Sequence, residues 1–237
     1  MKLNNLSKEE KRLVFNWIWQ SALFLVMVTP AFFLISGDWP WTWGWVFITS
    51  LWLFMAAQPA FLIPINPGLL AERARGMRAE GIKRWDQTLV RLASIAWFAA
   101  WLLSAFDHRY KWTGEYNNFI HLTGASGTAL GFAIFVWAMV ANAFFSEGVR
   151  IQVERGHQVC DSGPYRFVRH PGYAGNILAI LSIPLLLGSL SAFIPALLCA
   201  LFFLIRTAKE DQTLREELDG YVAYTNKTRF RIFPGIW

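Results

Sequence analysis

The sequence predicts an all-α membrane protein: a polytopic bundle of about six transmembrane segments, the last two forming a helical hairpin, with no Rossmann domain. Three observations carry that expectation. The 237-residue chain is 55% hydrophobic and only 16% charged, far more apolar than a soluble domain of its size. Its apolar residues fall into continuous runs of about 20, the length that crosses a hydrocarbon core. No stretch alternates with the period of two that marks a strand. The net charge of +6 lies in short clusters between apolar runs, as in loops that orient a protein against an anionic leaflet, so nucleic-acid binding is not expected. Cys160 and Cys199 lie far apart and indicate neither a zinc cluster nor a disulfide framework.

The first span is expected over 15–35. Lys2, Lys8, Lys11 and Arg12 precede it and give it the look of a signal peptide. The run outlasts an h-region of roughly 7 to 15 residues, however, and ends at no small-residue cleavage site, so an uncleaved helix is expected. Further spans are expected over 41–63, 87–106 and 119–145. In the last of these Gly127 and Gly131 are four apart, with Ala125 and Ala129 nearby, a pattern that lets helices approach closely in lipid. These glycines lack the spacing of a dinucleotide loop, and no strand precedes them. The apolar region 174–205 is too long for one span and is interrupted by Pro184, Gly188-Ser189 and Pro195. It predicts a tight hairpin turning near Gly188.

The hairpin brings the count to six and both termini to one side. Basic residues agree with that arrangement. Loop 64–86 carries Arg73, Arg75, Arg78, Lys83 and Arg84, and loop 146–173 carries Arg150, Arg155, Arg166 and Arg169. Loop 36–40 has only Asp38, and 107–118 mixes Asp107 and Glu115 with Arg109 and Lys111. The bias of Lys and Arg places the two basic loops and both termini in the cytoplasm. The chain thus divides into four N-terminal spans over 1–145, with cytoplasmic loop 64–86, and a segment 146–237 that holds the hairpin 174–205 and a cytoplasmic tail.

Two polar regions, 149–176 and 205–237, flank the hairpin and meet if it returns the chain to one face. In the first, Pro164 and Pro171 fix bends, while Gly163, Gly172 and Gly175 permit close backbone approach. Tyr165, His170 and Tyr173 bring aromatic and hydrogen-bonding groups to a helix start, where free amides attract polar ligands. The competing reading is a membrane-surface turn, with arginines at headgroups and tyrosines at the interface; Arg166 and Arg169 fit that reading as headgroup anchors. In the second region Arg206 and Glu210 are four apart and share a helix face. An arginine so close to an apolar run is a functional candidate, or else half of an intrahelical ion pair with a snorkelling side chain. Arg215, Glu216, Glu217 and Asp219 read as a solvated helix face. His108 and His121 have no metal-ligand partners at suitable spacing and read as interfacial.

"RGHQVCDSGPYRFVRHPGYAGNIL", followed after the hairpin by "RTAKEDQTLREELDGYVAYTNKTRFRIFPGIW", resembles the isoprenylcysteine carboxyl methyltransferase family, within a wider group that includes phospholipid methyltransferases. "NPGLLAERAR" at 66–75 resembles bacterial members. The resemblance implies an enzyme of the bacterial inner membrane that uses S-adenosylmethionine, with 146–237 as the cofactor-binding region. It implies a cofactor site lined by His157, Gln158, Val159, Cys160, Tyr165, His170, Pro171, Gly172 and Tyr173, with Gln152 as a looser match. Glu210 would bind the cofactor as well, and Arg206 would hold the substrate carboxylate. The family commonly has two adjacent glutamates where this chain has Glu210-Asp211, which leaves the role of Asp211 open.

The implied acceptor is a lipophilic molecule drawn from the membrane, an isoprenylcysteine-like carboxylic acid. Methyl transfer to a carboxylate needs no general base, because carboxyl groups titrate near pH 4. It needs alignment and the exclusion of water, and a planar guanidinium suits a two-pronged hold on the acceptor. Two other activities stay open: N-methylation of an amine headgroup, which must first lose a proton, and reduction by NADPH in a membrane reductase of similar architecture. A non-catalytic scaffold is a third possibility.

Overall fold

A computed structural model describes residues 6–237; Lys2, one of the basic residues ahead of the first span, lies outside the described residues. Eight α-helices follow one another: α1 (Lys8–Ser36), α2 (Thr42–Ile65), α3 (Pro67–Arg75), α4 (Arg84–Tyr110), α5 (Asn118–Ala141), α6 (Pro171–Leu187), α7 (Phe193–Glu217) and α8 (Tyr221–Lys227). Among the described residues there is no strand. Four helices, α1, α2, α4 and α5, are long and apolar enough to cross a membrane, and α6 is a shorter apolar helix. Their outer faces carry exposed Phe15, Met27, Leu53, Ile95 and Leu130, as expected of an integral membrane protein whose solvent is lipid.

Helix ends follow local chemistry more closely than apolar runs do. α1 begins well before its apolar run because Ser7 and Glu10 form a capping box: Glu10 N donates to Ser7 Oγ at 3.1 Å, and Ser7 N donates to Glu10 Oε2 at 2.8 Å. α5 stops at Ala141, short of the expected residue 145, because the Asn142 side chain accepts from Phe144 N at 2.9 Å and turns the chain. The region 64–86, expected as a loop, contains α3. Pro67 opens that helix and the Asn66 side chain caps Leu69 N at 3.1 Å. Leu69, Leu70 and Ala71 are buried there against Leu6, Val14, Leu62 and Met139. A single buried turn between charged residues gives too short a periodic signal to be read in advance.

The hairpin turns at Gly188, whose φ of 70° is left-handed and whose N–H donates to Leu185 O and Pro184 O. The flanking prolines do not break it. Pro184 sits in the last turn of α6, and Pro195 is the third residue of α7, where no intrahelical N–H bond is lost. At this end of the bundle Asp107 accepts hydroxyls from Ser189 at 2.6 Å, Ser191 at 2.9 Å and Thr113 at 2.6 Å. His121 stacks on Trp43 and lies 2.8 Å from Leu186 O through Nδ1. His108 stacks on Trp41 and lies 2.8 Å from Asp38. Both histidines therefore serve packing at the turns.

Glycines set the approach of α5 to α6. A Cβ on Gly131 would lie 2.5 Å from Gly175 O, and one on Gly124 would lie 2.1 Å from Leu186 N, so nothing larger than hydrogen fits. Gly131→Ala is expected to destabilise the fold by about 1–3 kcal/mol through overpacking. Gly114→Ala, where an added Cβ meets nothing within 4 Å, serves as the neutral control. Thermal unfolding in detergent checks both, and equal melting temperatures would contradict the close helix contact.

Candidate functional site

Away from the Gly188 turn, two buried carboxylates organise the other end of the bundle. Asp86, in the first turn of α4, is fully buried. It takes both prongs of Arg206 from α7, Nε to Oδ1 at 2.6 Å and Nη2 to Oδ2 at 3.0 Å, and accepts Val149 N at 2.8 Å. Arg206 Nη2 also donates to Glu147 O at 2.6 Å. One ion pair thus fastens α4, α7 and the segment after α5. The Arg206 guanidinium lies over the Tyr173 ring, 5.2 Å from its centroid, and the Tyr173 hydroxyl donates to Glu210. Arg206 and Glu210 share a helix face but form no ion pair with each other. Tyr173 stands between them.

The second carboxylate is Asp211, also fully buried. Arg169 donates to it through Nε at 2.7 Å and Nη2 at 3.2 Å, Arg215 at 3.0 Å, Arg231 at 3.1 Å and the Tyr221 hydroxyl at 3.0 Å. His170 Nε2 is 3.5 Å away. Arg169 also donates to Thr228 O and Arg229 O, while its backbone N–H and that of His170 bond Phe230 O and Arg231 O. Arg169 is therefore a buried strut between the 163–170 turn and the tail, which corrects its reading as a headgroup anchor; Arg166 is exposed. Arg215, Glu216, Glu217 and Asp219 are exposed as expected, although Arg215 reaches Asp211 at 3.0 Å and Glu217 pairs with Lys83 at 2.6 Å.

Between these nodes lies a cavity of about 460 Å³. Of the residues singled out in the sequence it is lined by His157, Gln158, Val159, Cys160, Tyr165, His170, Gly172, Tyr173, Arg206 and Glu210. Two others lie off its wall. Gln152 is fully buried behind it, donating to Phe144 O at 2.8 Å and accepting from Arg155. Pro171 opens α6 as its first residue. Local geometry explains the lining. Gly163 takes a φ of 56°, and a Cβ on Gly172 would meet the Phe145 ring at 2.6 Å. The Tyr165 carbonyl accepts the Tyr224 hydroxyl at 2.7 Å, and its own hydroxyl accepts Asn142 Nδ2 at 3.3 Å. Burial pushes the Tyr165 and Tyr224 phenols above their ordinary range, so both stay protonated. Opposite this polar wall the cavity is closed by Trp17, Phe54, Trp97, Phe98 and Phe132 from α1, α2, α4 and α5.

His157 stacks on Phe144 with centroids 4.6 Å apart. Burial first, then Arg155 and Arg150, push its imidazole down to about 4. It is neutral near pH 7. Asp86, Arg73, Gln58, Asn142, Glu147 and Tyr224 belong to the site or its frame and were not foreseen. An acid in the first turn of a helix is ordinary, so Asp86 gave no signal of its own.

Fold and site together define a polytopic membrane protein with one cavity shared between a polar, loop-built wall and an apolar wall of spanning helices. Residues 126–216 match the model of the isoprenylcysteine carboxyl methyltransferase (ICMT) family, from within α5 to near the end of α7. The match makes this part of the chain similar to that family. None of the curated proteins compared with the chain matches it.

Asp86→Ala is expected to destabilise the protein by about 3–5 kcal/mol, because it leaves the Arg206 charge buried without its partner; the double variant Asp86→Ala/Arg206→Met should recover part of the loss in the same unfolding assay. A second outcome concerns pH. Since His157 takes its proton later in the folded state than in the unfolded chain, the stability tied to its neutral form is complete above about pH 6.5 and is lost as pH falls toward 4. Wild type should therefore lose stability on acidification faster than His157→Gln, and parallel curves would show that the imidazole is not held neutral.

Proposed function

We propose that the protein is an integral membrane methyltransferase of the bacterial inner membrane that uses S-adenosylmethionine to methylate the carboxylate of a lipophilic, isoprenylcysteine-like acceptor. The observation that carries this reading is Glu210. It lines the cavity, accepts a hydrogen bond from Tyr173 and makes no ion pair among the described residues. A carboxylate left without a cation partner in a partly closed cavity favours a cationic ligand, and the aromatic faces of Phe144, Tyr165 and Tyr224 on the same wall attract a sulfonium and stack on a flat base. These residues fit the cofactor. His157, Gln158, Val159, Cys160, His170 and Gly172 would complete its binding surface, with Pro171 and Gln152 holding that surface in place from behind.

When bound, the cofactor supplies a methyl group on a positively charged sulfur, open to in-line attack by an ionised oxygen. The chain's part is to bind, align and keep dry. Tyr173 fixes the Glu210 carboxylate from one side and supports Arg206 from the other. The Asp211 strut holds the 163–170 turn over the cavity, which limits the entry of water. The apolar wall admits a hydrocarbon tail from the bilayer. No residue has to remove a proton from the acceptor, because a carboxylic acid is already ionised near neutral pH. In this reading α6 and α7 complete six passes, and the basic loops and both termini face the cytoplasm, where the cofactor is found.

Membranes holding the protein, incubated with radiolabelled S-adenosylmethionine, are expected to yield label in the lipid extract that mild base releases as methanol from a methyl ester. Glu210→Gln should lower that label at least about tenfold, as loss of a charged contact to the cofactor implies. Base-stable label would instead identify an amine acceptor, and binding of NADPH without any binding of S-adenosylmethionine would defeat the proposal.

A further inference from the structure

A second buried guanidinium lines the cavity. Arg73, on α3, is part of its wall with a side chain only 8% exposed. The two arginines differ in how well they are compensated. Arg206 makes three bonds of 2.6 to 3.0 Å, two of them to a carboxylate. Arg73 makes two long ones, Nη1 to Phe145 O at 3.4 Å and Nη2 to Gln58 Oε1 at 3.2 Å. The Glu147 carboxylate stands 3.6 Å from it, and Arg73 Nε is buried with no hydrogen-bond partner. Its guanidinium lies between the rings of Phe135 and Phe145, at 5.8 and 5.6 Å from their centroids. Burial disfavours its charge, Glu147 favours it, and Arg206 nearby disfavours it again.

A buried cation with weak partners is stabilised by any anion that docks against it. Arg206 offers much less, since Asp86 already fills its fork. The cavity that Arg73 lines is also the one walled by Trp17, Phe54, Trp97 and Phe132, so an anionic head held at Arg73 can lay an apolar tail among the spanning helices. We infer that Arg73, and not Arg206, holds the carboxylate of the lipophilic acceptor, and that Glu147 is an internal carboxylate that the acceptor displaces. This assignment rests on the reading of the cavity as an acceptor site. It leaves Arg206 as a positioning residue, which sets Tyr173 and Glu210 through the Asp86 pair.

The test is binding of palmitate and hexadecanol, matched in chain length, to the purified full-length protein in detergent at pH 8, without S-adenosylmethionine. Wild type should prefer palmitate. Arg73→Gln should lose about tenfold or more in palmitate affinity while hexadecanol binding is unchanged, the size expected for a charged hydrogen bond. Glu147→Gln, at a third-exposed position, should bind palmitate several-fold more tightly. Palmitate affinity unchanged in both variants overturns the assignment. If thermal unfolding shows that Arg73→Gln does not fold, Glu147→Gln decides alone: tighter binding supports the assignment and unchanged binding overturns it. The outcome is separable from methyl transfer. Arg73-dependent preference for palmitate without any labelled lipid sinks the methyltransferase reading alone, whereas base-labile label formed by Arg73→Gln with wild-type acceptor KM sinks the Arg73 assignment alone.

Discussion

The pair formed by Asp86 and Arg206 is the constraint on which the rest of the site depends. It joins the first turn of α4 to α7 across 120 residues of chain, deep enough that neither charge would be tolerated without the other. Through Val149 N and Glu147 O it also fixes the segment that leaves α5. With that segment held, Phe144 and Phe145 take up their places beside His157 and Gly172, and the cavity acquires a wall. Tyr173 is then set between Arg206 above its ring and Glu210 at its hydroxyl. Glu210 lines the cavity and makes no ion pair among the described residues.

Asp211 performs a parallel task one residue further along α7. Three arginines and a tyrosine converge on it, and they come from the 163–170 turn, from α7 itself, from α8 and from the tail. Adjacent acids on one helix point in different directions, about 100° apart around the axis. Glu210 is thereby turned toward the cavity and Asp211 into the protein. The difference between them is one of surroundings: a carboxylate ringed by guanidiniums is structural, and one with only a phenol donor is free to meet a ligand.

The α5–α6 contact links this chemistry to the membrane. Gly124, Gly131 and Gly175 bring backbones together where no hydrophobic force between helices would operate in lipid. α6 carries Tyr173 at its start and ends at the Gly188 turn, so its depth against α5 sets how far the polar end of the hairpin reaches.

Hydrophobic length and charge placement sufficed to read the helical class, the four long apolar spans, the hairpin turn at Gly188 and the glycine seam on α5, because each of these is fixed by residues near in sequence. Tyr165, His170 and Tyr173 were legible as candidates from their density beside a helix start, and Arg206 and Glu210 from their four-residue spacing next to an apolar run, whereas His157, Gln158, Val159 and Cys160 were singled out only by the family resemblance. What each arginine and acid touches was decided only by tertiary structure. Arg169 reads as a headgroup anchor until Asp211 is seen beside it, Arg206 reads as an open clamp until Asp86 fills it, and Arg73 reads as one more loop charge until α3 buries it. Charge–charge partners such as Arg169 with Asp211, Arg206 with Asp86 and Arg73 with Glu147 lie far apart in the chain and leave no periodic mark in a sequence, since Coulomb attraction depends on distance in space and on burial, and both are set by the packing of the helices.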